Sequence, residues 1–119
     1  MNRAQTFRRL WDELAPIGRT DAGGYRRFAW TLEDAQLRAW FAAQCERLGL
    51  AYSVDRAGNQ WGWWVVGDSR ASGVATGSHL DSVPDGGAFD GPLGVVSALI
   101  AIEELQQRGF TPRVPLGVV

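Results

Sequence analysis

"GSHLDSVPDGGAFDGPLGV", residues 77–95, decides how this chain is read. It holds the only histidine, His79, with Asp81, Asp85 and Asp90 and glycines at 77, 86, 87, 91 and 94. On its amino side, "GVATGSH" (73–79) has the composition of a short buried strand. On its carboxyl side, "GPLGVVSALIAIEELQQRG" (91–109) predicts a helix from Pro92 or Leu93 to Arg108. Proline suits the first turn and Gly109 the stop. Leu93, Val96, Leu99, Ile100 and Ile102 cover more than one face, so this helix must pack broadly on a sheet. "PRVPLGVV" (112–119) reads as the next strand. Strand, loop, helix and strand make a βαβ unit, with parallel strands and a right-handed crossover.

Working outward, residues 3–14 suit a first helix, with Phe7, Leu10, Trp11 and Leu14 at helical spacing and Pro16 ending it. "IGRTDAGGYRRFAW" (17–30) is a Gly-rich, charged loop. "TLED" has the form of a capping box with Thr31 as N-cap, although Asp34 stands where Glu or Gln is usual. A second helix is predicted over 32–48, burying Leu37, Trp40, Phe41, Cys45 and Leu48, with Gly49 as its C′ residue. The period then changes. "LAYSVD" alternates as a strand does, "RAGN" supplies a turn, and "QWGWWVVG" returns, with Trp61, Trp63 and Trp64 read as sheet core. "GDSRAS" (67–72) is expected to be a surface turn. The fold class is therefore α/β: a mixed sheet with a βαβ unit, flanked by helices.

Composition narrows the function. The 119 residues allow one domain; 45% are hydrophobic, 21% are charged and the net charge is −1. No basic stripe points to nucleic acid or an anionic membrane. No apolar run approaches a membrane span, and the polar N-terminus lacks a signal core. The single cysteine, Cys45, cannot form an internal disulfide. A cytoplasmic location is expected. The chain stops within an apolar strand, without a turn or polar tail, so a fragment is expected.

In open α/β sheets, ligands gather outside the carboxyl ends of the strands, where the 77–91 segment lies. His79 should emerge at that rim. Asp81 is close enough to accept a hydrogen bond from the ring nitrogen not bound to metal, which fixes the tautomer and raises ligand basicity. Gly86 and Gly87 should let the loop fold back and bring Asp90 beside His79. The two oxygens of Asp90 could serve two cations about 3.5–4 Å apart. Imidazole with carboxylate suits zinc, and also manganese, cobalt or nickel. Other readings stand beside this one. A lone histidine can be an ordinary loop residue, and Asp85 suits turn chemistry. A phosphate cradle lacks its motif, and an EF-hand lacks its oxygen spacing and closing Glu. Spacing alone leaves a metal site and a plain polar loop both open.

The same stretch closely resembles the metal-site signature of the zinc amidohydrolases that include N-carbamoyl-L-amino-acid hydrolase and allantoate amidohydrolase. These form a branch of the aminoacylase/carboxypeptidase metallopeptidase superfamily. "IGRTDAGGYRRFAWTLEDAQLRAWF" and "VDRAGNQWG" are similar to the family as well, so the resemblance covers essentially the whole chain. It implies a zinc-peptidase-like catalytic domain, of which residues 1–119 are the N-terminal portion. It implies two divalent metal ions (zinc, or manganese, cobalt or nickel), with His79 ligating one and Asp90 bridging both. Asp81 becomes the catalytic-site partner that orients His79, and Asp90–Gly91 a candidate cis peptide. The "GRTDAGG" loop (18–24) would lie near the cleft. The implied reaction is cleavage of the carbamoyl C–N bond of N-carbamoyl-L-amino acids or allantoate by a metal-activated water. The partner is a small ureido or amide substrate, with no nucleic acid and no membrane.

Family members continue with a Glu-Glu pair, supplying a general base and a ligand, then further histidine ligands and a dimer-forming lid domain. The chain by itself is thus expected to be inactive and its parent a homodimer. Two alternatives are an aminopeptidase or deacylase of the same superfamily, and a non-catalytic binding or dimerisation module.

Overall fold

Four strands form one mixed sheet in the order β1-β2-β4-β3 in the computed structural model, which describes residues 1–67 and 72–119. The elements are α1 (Arg3–Leu14), α2 (Leu32–Arg47), β1 (Ala51–Val54), β2 (Gln60–Trp64), β3 (Val74–Thr76), α3 (Pro92–Gln107) and β4 (Leu116–Val118). β1 and β2 are an antiparallel hairpin, β2 pairs antiparallel with β4, and β3 runs parallel to β4 through α3. The chain thus has the α/β fold with the βαβ unit. Most of "GDSRAS" lies outside the described residues.

The helices start and stop on local signals. Asn2 and Gln5 close a capping box on α1. Thr31 caps α2, its Oγ1 accepting from the Asp34 N–H at 3.3 Å. The return bond shifts by one residue, because the Asp34 carboxylate accepts from the Trp30 N–H at 3.0 Å. At the other end, Gly49 (φ +67) lets Leu50 N–H reach Cys45 C=O and Gly49 N–H reach Glu46 C=O. That is a Schellman motif. Gly109 (φ +71) ends α3 in the same way, with bonds to Gln106 and Leu105.

One face of the sheet carries the core. Gly62 lies against Cys45, so close that a Cβ would sit 2.5 Å from Sγ, and its partner across the ladder is the fully buried Val118. Leu37, Phe41 and Cys45 of α2, Val95, Val96, Leu99 and Ile102 of α3, and Leu10 and Leu14 of α1 join this cluster. Alternation puts Trp61 and Trp63 on the other face, where they stack at 5.7 Å and stay half-buried. Of the tryptophan run only Trp64 packs against the core, and Val65 and Val66 fall outside the strand. β3 is exposed at all three residues, contrary to the buried strand expected, because it stands at the sheet edge with β4 as its sole neighbour. β4 begins only after Pro115, whose missing N–H suits it to the strand entrance. In α3, Leu93 is exposed instead of packed.

The hairpin turn is organised by Asp55. Its carboxylate accepts from Trp61 Nε1 at 3.0 Å, Asn59 Nδ2 at 3.0 Å, and the backbone N–H groups of Asn59 and Ala57 at 2.9 Å. These donors, the Trp61 indole foremost, hold the exposed Asp55 down to about 2. A depressed carboxylate adds stability above its unfolded pKa of about 3.9 and loses it as pH falls through the folded value. Asp55→Asn should therefore lower the urea midpoint at neutral pH, and its gap from the parent chain should close between about pH 4 and pH 2. Tryptophan fluorescence across that range checks this; a gap independent of pH contradicts it.

Candidate metal centre

The β3–β4 ladder runs one step past the strands, with Val119 N–H on Thr76 C=O at 3.1 Å and Ser78 N–H on Val119 C=O at 3.0 Å. This delivers His79 to the carboxyl rim. Leu80 is buried, so His79 and Asp81 on either side of it point outward, with side chains about half exposed (48% and 52%). His79 Nδ1 lies 3.1 Å from Asp81 Oδ1 and 3.0 Å from the Asp81 carbonyl oxygen. Both partners are acceptors, so a neutral ring carries its proton on Nδ1 and offers the Nε2 lone pair.

Gly91, the residue after Asp90, lies against this ring. Gly91 has φ +97, and a Cβ there would lie 2.7 Å from His79 Nδ1 and Cε1 and 2.6 Å from the His79 carbonyl oxygen. Glycine alone lets the backbone lie against the imidazole in this way. No cis peptide occurs among the described residues, so Asp90–Gly91 is trans and the left-handed φ of Gly91 makes the turn into α3. Phe89, on the other side of Asp90, stacks on Trp11 of α1 at 5.5 Å.

The loop between His79 and Asp90 does not fold back through Gly86 and Gly87 by flexibility alone. The residue in the left-handed region there is Asp85 (φ +54), held by Arg26 Nε at 3.2 Å. A Cβ on Gly87 would touch nothing, whereas Gly86 is buried and paired. Gly86 and Tyr25 exchange both backbone bonds, at 2.9 and 3.0 Å. Ser82 N–H reaches Arg27 C=O at 2.9 Å, and Arg27 N–H reaches Ser82 Oγ at 2.9 Å. Residues 25–27 thus run along the loop as an antiparallel splint. Sequence reasoning placed "GRTDAGG" near the cleft but missed this splint, because pairing between positions so far apart leaves no periodic signal.

The chemistry available is narrow. Among the described residues no group of three or more His, Cys, Asp or Glu side chains is assembled to hold a metal ion, so His79, Asp81 and Asp90 do not form a closed site. Cys45 is no reserve ligand, since burial pushes its thiol up to about 11. Next to His79 and Asp81 lies a cleft of about 280 Å³, bordered by Trp30, Arg38, Phe41 and Asn59. Arg38 is tied to the Gly58 carbonyl at 2.9 Å.

No family model matches the chain. The chain is 40% identical over 120 residues to an N-carbamoyl-L-amino-acid amidohydrolase of Rhizobium meliloti, covering 98% of this chain and 29% of that protein. It is 34% identical over 108 residues to an allantoate amidohydrolase of Bacillus subtilis, covering 89% and 26%. A crystal structure of a hydantoinase/carbamoylase family amidase from Burkholderia ambifaria superposes with a TM-score of 0.89 at 39% identity, over 99% of this chain and 29% of that one. The chain therefore spans somewhat over a quarter of the length of the relatives it matches.

The contact between Gly91 and His79 sets a test. Gly91→Ala should cost about 1–3 kcal/mol, from positive-φ strain and collision with the ring. Gly87→Ala, with open space around it, should stay within about 0.5 kcal/mol. Urea unfolding of both variants checks this; equal stabilities would contradict the contact.

Proposed function

We propose, on the premise that this chain belongs to the family of N-carbamoyl-L-amino-acid and allantoate amidohydrolases, that it forms part of the metal-binding half of a hydrolase acting on a C–N bond. The observation that carries the reading is the held imidazole: His79 Nδ1 against Asp81 and the Gly91 backbone against the ring. His79 and Asp90 would hold divalent metal, zinc or else manganese, cobalt or nickel. Bound there, such ions supply Lewis acidity to a carbonyl and acidify water.

The chain's own residues do the positioning. Asp81 accepts the Nδ1–H, which fixes the tautomer and makes Nε2 a better donor. Asp90 contributes an anionic donor at the mouth of α3. The names of the relatives support a ureido substrate, an N-carbamoyl-L-amino acid or allantoate. Zinc takes four donors, and His79 is the only histidine, so the remaining ligands and the general base belong outside these residues. We propose that residues 1–119 belong to a metal-dependent catalytic domain without turnover of their own; a dimeric, cytoplasmic parent is part of the same proposal, carried by the family resemblance alone. No helix among the described residues is long and apolar enough to cross a membrane.

Titration calorimetry of the full-length parent protein with Zn²⁺ at pH 7 tests the site. Asp81→Ala should weaken binding by about ten- to a hundredfold, and His79→Ala should abolish it. Zinc binding unchanged in His79→Ala would overturn the assignment. Assaying the parent protein on N-carbamoyl amino acids, allantoate and short peptides separates the substrates; cleavage of peptides alone would favour the aminopeptidase reading.

A further inference from the structure

Behind the loop lies a buried cation that the chemistry above does not use. Arg27 is 2% exposed. Among the described residues its guanidinium has no carboxylate partner. Nε donates to Ile17 C=O at 2.8 Å, Nη2 donates to Leu14 C=O at 2.7 Å, and the group stacks on the Tyr25 ring at 3.9 Å. Those carbonyls lie at and just past the carboxyl end of α1, where the helix dipole favours a cation; the Leu14 carbonyl also accepts the Ile17 N–H at 3.0 Å. Burial lowers the Arg27 pKa, and the neighbouring Tyr25 works against that. The chain is shaped to admit this side chain: at Gly18 (φ +74) a Cβ would fall 2.8 Å from Arg27 Cγ. Tyr25 adds a parallel tie, its hydroxyl donating to Ala15 C=O at 2.8 Å.

The backbone of this arginine, in turn, grips Ser82 from both sides, and Ser82 directly follows Asp81. A continuous path therefore runs from the end of α1, through the guanidinium, to Ser82 and the His79–Asp81 pair. The exposed Arg26–Asp85 ion pair touches the same loop but leads nowhere into the core.

We propose that Arg27 is a positioning residue: docked on the end of α1, it holds Ser82 so that Asp81 stays on His79 Nδ1. The proposal rests on the reading of His79 as a metal ligand, because that is what a fixed tautomer serves. It also has a consequence in the absence of metal. With the splint intact the His79 ring should populate one neutral tautomer, protonated on Nδ1. With the splint weakened, Asp81 drifts and the two tautomers mix.

The test compares this chain with Ser82→Ala, Arg27→Lys and, as control, Arg108→Ala, whose side chain pairs with Glu104 of its own helix. Ser82→Ala removes the Arg27 N–H bond to Oγ and the Oγ–H bond to the Tyr25 carbonyl at 3.3 Å, and keeps the Ser82 N–H bond to Arg27 C=O. Arg27→Lys keeps the charge but cannot reach both carbonyls with a planar fork. The imidazole ¹⁵N shifts of His79 are read without metal, and Zn²⁺ affinity is read by calorimetry on the full-length parent protein carrying the same substitutions. Both variants should move the ¹⁵N shifts toward averaged values and weaken Zn²⁺ by about tenfold, the lower end for a residue supporting a ligand. Arg108→Ala should change neither reading. Folded Ser82→Ala and Arg27→Lys proteins with unchanged ¹⁵N shifts would overturn the proposal. Should Arg27→Lys fail to fold, Arg27→Gln, which keeps a donor for one of the two carbonyls, decides in its place. Absence of Zn²⁺ binding in the full-length parent protein would sink the metal reading, while the metal-free tautomer would still decide the role of Arg27.

Discussion

The candidate site depends on one close approach, the backbone of Gly91 lying against the ring of His79. A side chain at 91 would collide with the imidazole, and a different φ would send α3 off in another direction. From this contact follow the place of Asp90 at the mouth of α3 and the closure of the loop that carries Asp81. The contact also connects site to core. Pro92, the first residue of α3, is buried, and Val95, Val96 and Leu99 anchor the helix against β4 and the rest of the cluster.

The loop is held by three independent supports. Residues 25–27 pair with Ser82 and Gly86, Phe89 stacks on Trp11, and Leu80 turns into the core. Two of these lead back to α1, which itself supplies no candidate ligand. The first helix and the Gly-rich loop after it thus form the scaffold on which the histidine loop is shaped. That division gives the loop the rigidity a ligand set needs, since a metal site demands its donors within narrow limits of position.

What could be read from the sequence was local. The bounds of α1, Thr31 as N-cap, the glycine stops at 49 and 109 and the hairpin turn at 56–59 depend on residues within a few positions of each other. The βαβ unit was legible for the same reason: strand, loop, helix and strand are consecutive. The burial of β3 and of the tryptophan run was not, because it depends on strand order. β3 stands at an edge, and Trp61 and Trp63 face away from the helices. In the site, the spacing of His79 and Asp81 was informative, whereas the splint from Tyr25 and Arg27 required chain pairing across more than fifty positions. The turn at Gly91 shows a further limit, since a glycine admits both a strained peptide bond and a left-handed φ, and only the fold selects between them.

The central claim is that the loop from 79 to 91 closes on itself. The nuclear Overhauser effect between His79 Hε1 and the Gly91 Hα protons, recorded on the metal-free chain, tests it most directly. The account predicts a strong cross-peak, as expected for a ring lying against that backbone. A folded chain with no such cross-peak would contradict the closure.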